Sequence, residues 1–189
     1  GDAAPHNHPA TGSVSAADPR AEDAGRAMLA AGGNATDAAI AVMLALTVVE
    51  PQSSGIGGGG FLVHAAPDGS VATFDGRETA PAGARPEWFL RDDGTLPSFD
   101  ESVQSGLSVG VPGNIRMAAL AHRQHGKLPW AKLFEPAIEL ARNGFRINQR
   151  LYNSISAQPG HAGFSATARK LYFDAEGKVL PAGSLVQNE

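Results

Sequence analysis

Residues 35–49 carry apolar side chains at almost every position, and this pattern predicts a helix that is enclosed on all sides. Asp37 is the only charged residue of the segment, and its apolar positions cover every face at helical spacing. Asn34 predicts the N-terminal cap, and Glu50 followed by Pro51 predicts the end of the helix. Because such a helix has no polar face, we expect other elements to cover it.

A β-hairpin is predicted after this helix. Two strand-like runs, residues 61–65 and 71–74, flank a turn sequence that contains Pro, Asp and Gly. Other patterns predict a short strand at 14–17, a weak strand at 100–105, and helices at about 19–31, 114–124, 130–142, 148–157 and 164–171. Helices around a single hairpin define an α+β class, and the hairpin needs further strands to cover it. The chain is therefore predicted to be part of a larger architecture.

Composition and charge argue against several classes of protein. The 189 residues are 42% hydrophobic and 18% charged, which is typical of a globular domain and not of a disordered chain or a coiled coil. The net charge of -4 and the scattered basic residues argue against a nucleic-acid-binding surface. The absence of cysteine excludes disulfides, thiol catalysis and cysteine-bound zinc. The longest apolar segment, residues 38–49, is shorter than the roughly 18 residues of a membrane span.

Five of the six residues from 55 to 60 are glycine, a run that is unfavourable for conformational entropy and therefore calls for an explanation. Bare backbone permits positive φ angles and the close approach of another backbone or a substrate. Gly55, Gly57 and Gly60 match the G-x-G-x-x-G pattern of dinucleotide-binding proteins, but that site needs a strand before the glycines and a helix after them. Here a predicted helix precedes the run and a strand follows. Nucleotide binding is therefore disfavoured, whereas close backbone packing or a pocket wall fits.

A serine-hydrolase pattern also occurs, since residues 106–110 read G-x-S-x-G with Ser108 at the centre. A nucleophile elbow places its serine between a strand and a helix that starts at once. Pro112 and Gly113 delay the next predicted helix, so we interpret Ser108 as a loop residue before that helix.

His122 and His125 are spaced to share one face of a predicted helix. No acidic helical residue accompanies them as it does in the H-E-x-x-H zinc motif. A solvated helix end is therefore favoured over a metal site, and neither a metal nor a cofactor is predicted.

Residues 75–78, with the sequence D-G-R-E, form the charged cluster of greatest interest. Arg77 follows the second predicted strand, and hairpin geometry returns the chain to Gly60 at that point. A guanidinium there can bind a carboxylate through two parallel hydrogen bonds. The alternative is a structural ion pair of Arg77 with Asp75 or Glu78, and the residues alone leave both interpretations open.

Several segments resemble the γ-glutamyltranspeptidase family over about residues 14–147. The most specific is residues 50–61, which read EPQSSGIGGGGF. The other matching segments are residues 15–19, 31–39, 75–81, 109–113, 125–130, 136–138, 140–141 and 144–145. The resemblance implies an N-terminal nucleophile hydrolase fold, an αββα sandwich of which this chain supplies only part. Residues 1–189 would be the N-terminal portion of the large subunit of a single domain, with residues 1–13 an extended N-terminal segment.

The resemblance also implies the chemistry and the partners. The precursor cleaves itself, and the new N-terminal Thr of the small subunit attacks γ-glutamyl compounds such as glutathione. That Thr would lie on a partner chain, so no catalytic residue is expected here, and the partners are the remainder of the large subunit and the small subunit. Arg77 would bind the α-carboxylate of the glutamyl donor.

Two other functions are kept as alternatives. One is an acylase of the same family that hydrolyses glutaryl-type side chains of β-lactam compounds. The other is a non-catalytic, glycine-rich ligand-binding module. Family habit and a chain that begins with Gly1 rather than Met lead us to expect a periplasmic or secreted protein.

Overall fold

The structure is a computed structural model that describes residues 12–188. Its α-helices are α1 Pro19–Ala30, α2 Ala35–Val49, α3 Phe99–Gln104, α4 Asn114–His125, α5 Glu135–Asn143, α6 Gln149–Ala157, α7 Pro159–Ala162 and α8 Ala166–Tyr172. Its strands are β1 Phe61–Ala65, β2 Val71–Asp75, β3 Phe145–Arg146 and β4 Leu185–Val186. Short 3₁₀ helices occupy Gly106–Ser108 and Trp130–Phe134. The extended segment predicted for residues 1–13 falls, as far as residue 11, outside the described residues.

Helix α2 lies in the main hydrophobic core, and both of its ends form as the sequence predicts. Asn34 and Asp37 make a reciprocal capping box, in which each side chain accepts a hydrogen bond from the backbone amide of the other. Glu50 is the C-terminal cap. Small side chains let α1 and α2 pack closely. The buried members of this core are Ala21, Ala24, Met28, Ala38, Ile40, Ala41, Leu44, Ala45, Ala118, Leu133 and Ala137.

Among the described residues, the predicted enclosure of α2 is complete over only part of its surface. Val42, Met43 and Leu46 are only half-buried, and Ala39 is exposed. Within residues 12–188, α2 is packed mainly against α1, α4, α5 and the 3₁₀ helix Trp130–Phe134. An apolar helix that keeps partly open faces is consistent with a chain that supplies only part of a fold.

The predicted hairpin is present, with β1 antiparallel to β2 and Phe61 opposite Asp75. One face packs on α4, where Phe74 is buried with Met117 and Ala121. The other face is exposed and includes Phe61, Val63 and Val71. The sheet therefore has one covered and one open face among the described residues.

A second sheet of two strands was not predicted. Strand β3 pairs antiparallel with β4, so that Phe145 lies opposite Val186. Phe145 and Val186 belong to a second buried cluster with Val49, Ile147, Leu151 and Ile155. The C-terminal residues show no helix or strand pattern in the sequence. They are held in place because β4 pairs with β3, which lies about 40 positions earlier.

Two local predictions are wrong. Residues 14–17 form no strand, and one of their amides, that of Ala16, instead donates to the Glu22 side chain. The weak strand predicted at 100–105 is helix α3, because Ser98 and Glu101 form a capping box that favours a helical first turn.

Asp18 connects the start of α1 to the start of α6. Its buried carboxylate accepts from the Arg20 amide at 2.9 Å and from the Asn148 side-chain amide at 3.0 Å. Burial alone would raise the pKa of Asp18, but hydrogen bonds from Arg20 and Asn148 outweigh it and hold the pKa below its ordinary value. The ionised carboxylate therefore stabilises this connection above the ordinary Asp pKa, and the stabilisation is lost as the pH falls through the lowered pKa.

Asp37 connects the start of α2 to the loop after α4. The carboxylate is fully buried, and it accepts from the backbone amides of Asn34 at 3.0 Å, Lys127 at 3.1 Å and Leu128 at 3.2 Å. Hydrogen bonds from three backbone amides stabilise the buried negative charge without a directly bonded cation. The contact joins segments that are 90 residues apart.

We expect Asp37→Asn to lower the free energy of unfolding by about 3 kcal/mol, because a neutral amide loses the charge that strengthens these buried hydrogen bonds and places an NH2 group against the Lys127 amide, which now donates to both carboxylate oxygens. Chemical denaturation of the intact protein measures the change. Asp92→Asn, in an exposed turn, is the matched control and should change stability by less than about 0.5 kcal/mol. Equal stabilities of the two variants would contradict this role of Asp37.

Candidate functional site

Arg77 lies beside the glycine run because the hairpin ladder continues past its strands. The Gly60 amide donates to the Gly76 carbonyl at 3.2 Å, and the Gly76 amide donates to the Gly60 carbonyl at 2.9 Å. This pair directly follows the pairing of Phe61 with Asp75. Arg77 is the next residue after Gly76, so the structure brings it to the glycines as hairpin geometry predicts.

Close backbone approach explains one of the glycines. A Cβ atom at Gly59 would lie 2.5 Å from Oε2 of Glu78, 2.6 Å from the carbonyl oxygen of Gly76 and 2.7 Å from the amide nitrogen of Glu78. Two of these neighbours are backbone atoms, which cannot move aside as a flexible side chain would. Gly59 is therefore the place where the run touches the Arg77 segment most closely.

The run does not use the positive φ angles that glycine permits. The described glycines with positive φ lie elsewhere, for example at Gly32 and Gly144, and none lies in residues 55–60. Gly55 and Gly57 also have open space where a Cβ would project. The glycines of the run therefore serve different purposes, since Gly59 is sterically required and Gly57 is not.

The start of α4 holds the glycine run in place. The Gly58 carbonyl accepts from the backbone amides of Gly113 and Asn114, both at 3.1 Å, and the Asn114 side chain donates to the Gly55 carbonyl at 2.9 Å. A Cβ atom at Gly113 would overlap the carbonyl group of Gly76. We call the set formed by residues 55–60, 76–78 and 113–114 the glycine junction.

The Arg77 side chain leaves this junction with most of its donors free. It is 56% exposed, and its Nη2 atom lies 3.2 Å from Oε2 of Glu78, which is an ion-pair distance without hydrogen-bond geometry. Asp75 accepts from the Arg77 backbone amide at 2.9 Å. The structural ion pair considered from the sequence thus exists with Glu78, and it leaves the guanidinium able to bind a carboxylate.

Two clefts open beside Arg77, and both have volumes typical of small-molecule sites, about 300–1,000 Å³. The first, which we call the Trp88 cleft, has a volume of about 650 Å³ and is bordered by Arg77, Glu78, Arg85, Trp88 and Val109, among others. The second, the glycine cleft, has a volume of about 530 Å³ and is bordered by Ser54, Gly58, Gly59, Arg77 and Asn114, among others. Arg77 and Glu78 border both clefts.

Ser108 is a structural residue of a 3₁₀ turn. Its Oγ lies 3.0 Å from the carbonyl oxygen of Val103 and 2.9 Å from that of Ser105. The hydroxyl group is therefore used within its own turn. Ser108 precedes α4 as predicted, but it lies in a short 3₁₀ helix and not in a loop.

His122 and His125 have separate surroundings. The Nε2 atom of His122 lies 2.7 Å from the Leu128 carbonyl oxygen. The His125 ring instead stacks on His64 at a centroid distance of 4.0 Å, and the Nδ1 atom of His64 is 3.1 Å from the Thr36 hydroxyl. Among residues 12–188 no group of three or more metal-ligating side chains converges. The histidines are half-buried packing residues here, and a solvated helix end does not describe them.

Asn114 and Arg85 border the clefts but were missed in the sequence. Asn114 had a usable signal, since a Gly-Asn pair at a predicted helix start, directly after Pro112, places side-chain and backbone donors at one point. Arg85 had none, because it lies in an irregular connection whose turns fix its position only in three dimensions. No described helix has the length and apolar character to cross a membrane.

The fold places the chain in a known class, the N-terminal nucleophile hydrolases. Helicobacter pylori γ-glutamyltranspeptidase matches it with a TM-score of 0.86 and 32% identity, over 97% of this chain and 52% of that one. Cephalosporin acylase from Bacillus halodurans matches with a TM-score of 0.72 and 30% identity, over 88% of this chain and 31% of that one. The predicted α+β class, with the chain supplying part of the larger fold, is confirmed.

The family is narrower than the class. The family described as Gamma-glutamyltranspeptidase matches residues 21–189, and the chain belongs to this family. Glutathione hydrolase proenzyme of Bacillus subtilis (strain 168) is 41% identical over 180 residues, which cover 94% of this chain and 30% of the relative. Scoloptoxin SSD14 of Scolopendra dehaani is 44% identical over 168 residues, which cover 87% of this chain and 28% of the relative. The chain thus spans less than a third of the length of these relatives.

Proposed function

We propose that the protein containing this chain transfers or hydrolyses the γ-glutamyl group of glutathione-like compounds. The observation that carries the proposal is Arg77, whose backbone is positioned by the glycine junction and whose guanidinium is exposed beside two clefts. The Bacillus subtilis relative, which bears the name glutathione hydrolase proenzyme, supports the same activity. Arg77 binds the α-carboxylate of the glutamyl donor through two charge-assisted hydrogen bonds.

The nucleophile in this proposal lies outside the chain. The N-terminal Thr of a small subunit attacks the γ-carbonyl carbon, and the proton of its hydroxyl group passes through its own α-amine to the departing amine. Water or an acceptor amine then releases the glutamyl group from the acyl-enzyme. Residues 1–189 belong to the large subunit of a single domain, and Arg77 contributes by fixing the donor so that its γ-carbonyl meets the nucleophile.

The proposal includes the biology that the family implies. The precursor cuts itself to expose the Thr, and the mature enzyme consists of a large and a small subunit in a periplasmic or secreted location. The β-lactam acylase and the non-catalytic module are not favoured, because curated relatives of about 40% identity bear the name glutathione hydrolase.

Two substrates that differ only at the α-carbon test the activity. The intact protein should release aniline from γ-glutamyl anilide and should act far more slowly on glutaryl anilide, which keeps the carboxylate for Arg77 but lacks the α-amine. Intact-mass measurement and N-terminal sequencing of the same sample should find a second subunit that begins with Thr. Faster cleavage of the glutaryl compound would establish the acylase, and an uncleaved, inactive protein would exclude both enzymes.

A further inference from the structure

The Trp88 cleft contains a second arginine that has no internal partner. Within residues 12–188, the Arg85 guanidinium makes no hydrogen bond or ion pair, and the residue is exposed. The charged side chains that border this cleft are Arg77, Glu78 and Arg85. Because Glu78 is paired with Arg77, the charge of Arg85 is the one left uncompensated. A cation in this position favours an anionic group on the ligand.

The position of Arg85 is set by a series of turns. The Ala84 amide donates to the Pro81 carbonyl at 2.9 Å, and the Trp88 amide donates to the Arg85 carbonyl at 3.0 Å. The indole nitrogen of Trp88 donates to the Leu107 carbonyl at 2.9 Å. These bonds hold the backbone of Arg85 and the neighbouring indole in place before a ligand arrives, which lowers the entropy lost on binding.

The walls of the Trp88 cleft suit the part of a peptide that lies beyond the glutamyl group. Besides its two arginines, the cleft is bordered by Trp88, Phe89 and Val109, which are apolar or aromatic. A volume of about 650 Å³ admits a ligand of tripeptide size. On one side the cleft ends at Gly57, where nothing lies within 4 Å of the place a Cβ would occupy. The space next to Arg77 is thus open to a substrate that extends past its γ-amide.

We infer that Arg85 binds the C-terminal carboxylate of γ-glutamyl peptides, so that the site prefers donors with two carboxylates. This inference rests on the proposed function, in which Arg77 holds the first carboxylate. Arg85 would act only on the part of the substrate that leaves, and it would therefore set specificity without taking part in acyl transfer.

A matched pair of substrates tests this specificity. The intact protein is assayed with γ-glutamyl-cysteinyl-glycine and with the same peptide carrying a C-terminal amide. Arg85→Gln is expected to lower kcat/KM for the acid about fivefold and to leave kcat/KM for the amide within twofold of the unchanged protein. The fivefold difference should shrink as the salt concentration rises, because the contact is exposed.

Arg91→Gln is the control, since Arg91 lies on the same irregular connection, pairs with Glu101 and does not border the cleft. It should change neither rate. If Arg85→Gln lowered kcat/KM equally for the peptide acid and the peptide amide, or lowered it for neither, the inference would be overturned. The proposed function would not be affected by either result. An unchanged protein that cleaves neither peptide would overturn the proposed function and the inference with it.

Discussion

Arg77→Ala in the intact protein is expected to lower kcat/KM for γ-glutamyl donors by a factor of about 10² to 10³. The loss corresponds to about 3–4 kcal/mol, the value of a charge-assisted bidentate contact to the α-carboxylate. KM should rise, because the contact is made with the donor before acyl transfer begins. Steady-state kinetics with γ-glutamyl anilide measures both parameters, and thermal unfolding checks that the variant is folded.

Arg77→Lys is the informative companion to this variant. It keeps the charge but presents a single ammonium group, so its activity should lie between those of the unchanged protein and Arg77→Ala. Arg123→Ala, on the exposed side of α4, should leave the kinetics unchanged. Unaltered kinetics in Arg77→Ala would remove Arg77 from the binding site.

Gly113→Ala is expected to lower the free energy of unfolding by about 3 kcal/mol and also to raise KM for the donor. The added methyl group would overlap the Gly76 carbonyl and would come within 3.1 Å of the Arg77 carbonyl oxygen. Since both neighbours are backbone atoms, the hairpin end and the start of α4 must separate, and Arg77 moves with them. Chemical denaturation gives the first quantity, and donor kinetics gives the second.

Gly57→Ala provides the comparison from within the same junction. Its φ is not positive and the space around it is open, so the variant should be as stable as the unchanged protein or up to about 1 kcal/mol more stable. If Gly57→Ala destabilised the protein as much as Gly113→Ala, the distinction between sterically required and permissive glycines would be wrong.

The elements that follow local rules were predictable from the sequence. Helix α2 begins and ends at its predicted residues because Asn34 caps one end and Pro51 follows the other. The hairpin was predictable because its turn and its strand-like runs are adjacent in the sequence. Strands β3 and β4 were not predictable, since each has two residues and they pair across about 40 intervening positions.

The candidate site divides in the same way. The unusual glycine run and the hairpin geometry together predicted that Arg77 lies beside bare backbone. Neither predicted that the start of α4 would complete the junction, because the hydrogen bonds of Gly58 reach Gly113 and Asn114 across more than 50 residues. The function assigned to Arg77 came from resemblance to a family, and it stays a prediction until the variants are measured.

The glycine junction also limits how this site can change during evolution. A Cβ atom at Gly59 or Gly113 would clash with backbone atoms. A second substitution to a smaller side chain nearby cannot relieve such a clash, because the backbone atoms remain. Gly57 and Arg85 border the open Trp88 cleft and carry no such restriction. New substrate preferences, in nature or in a directed-evolution library, should therefore arise at the cleft walls while the backbone behind Arg77 stays the same.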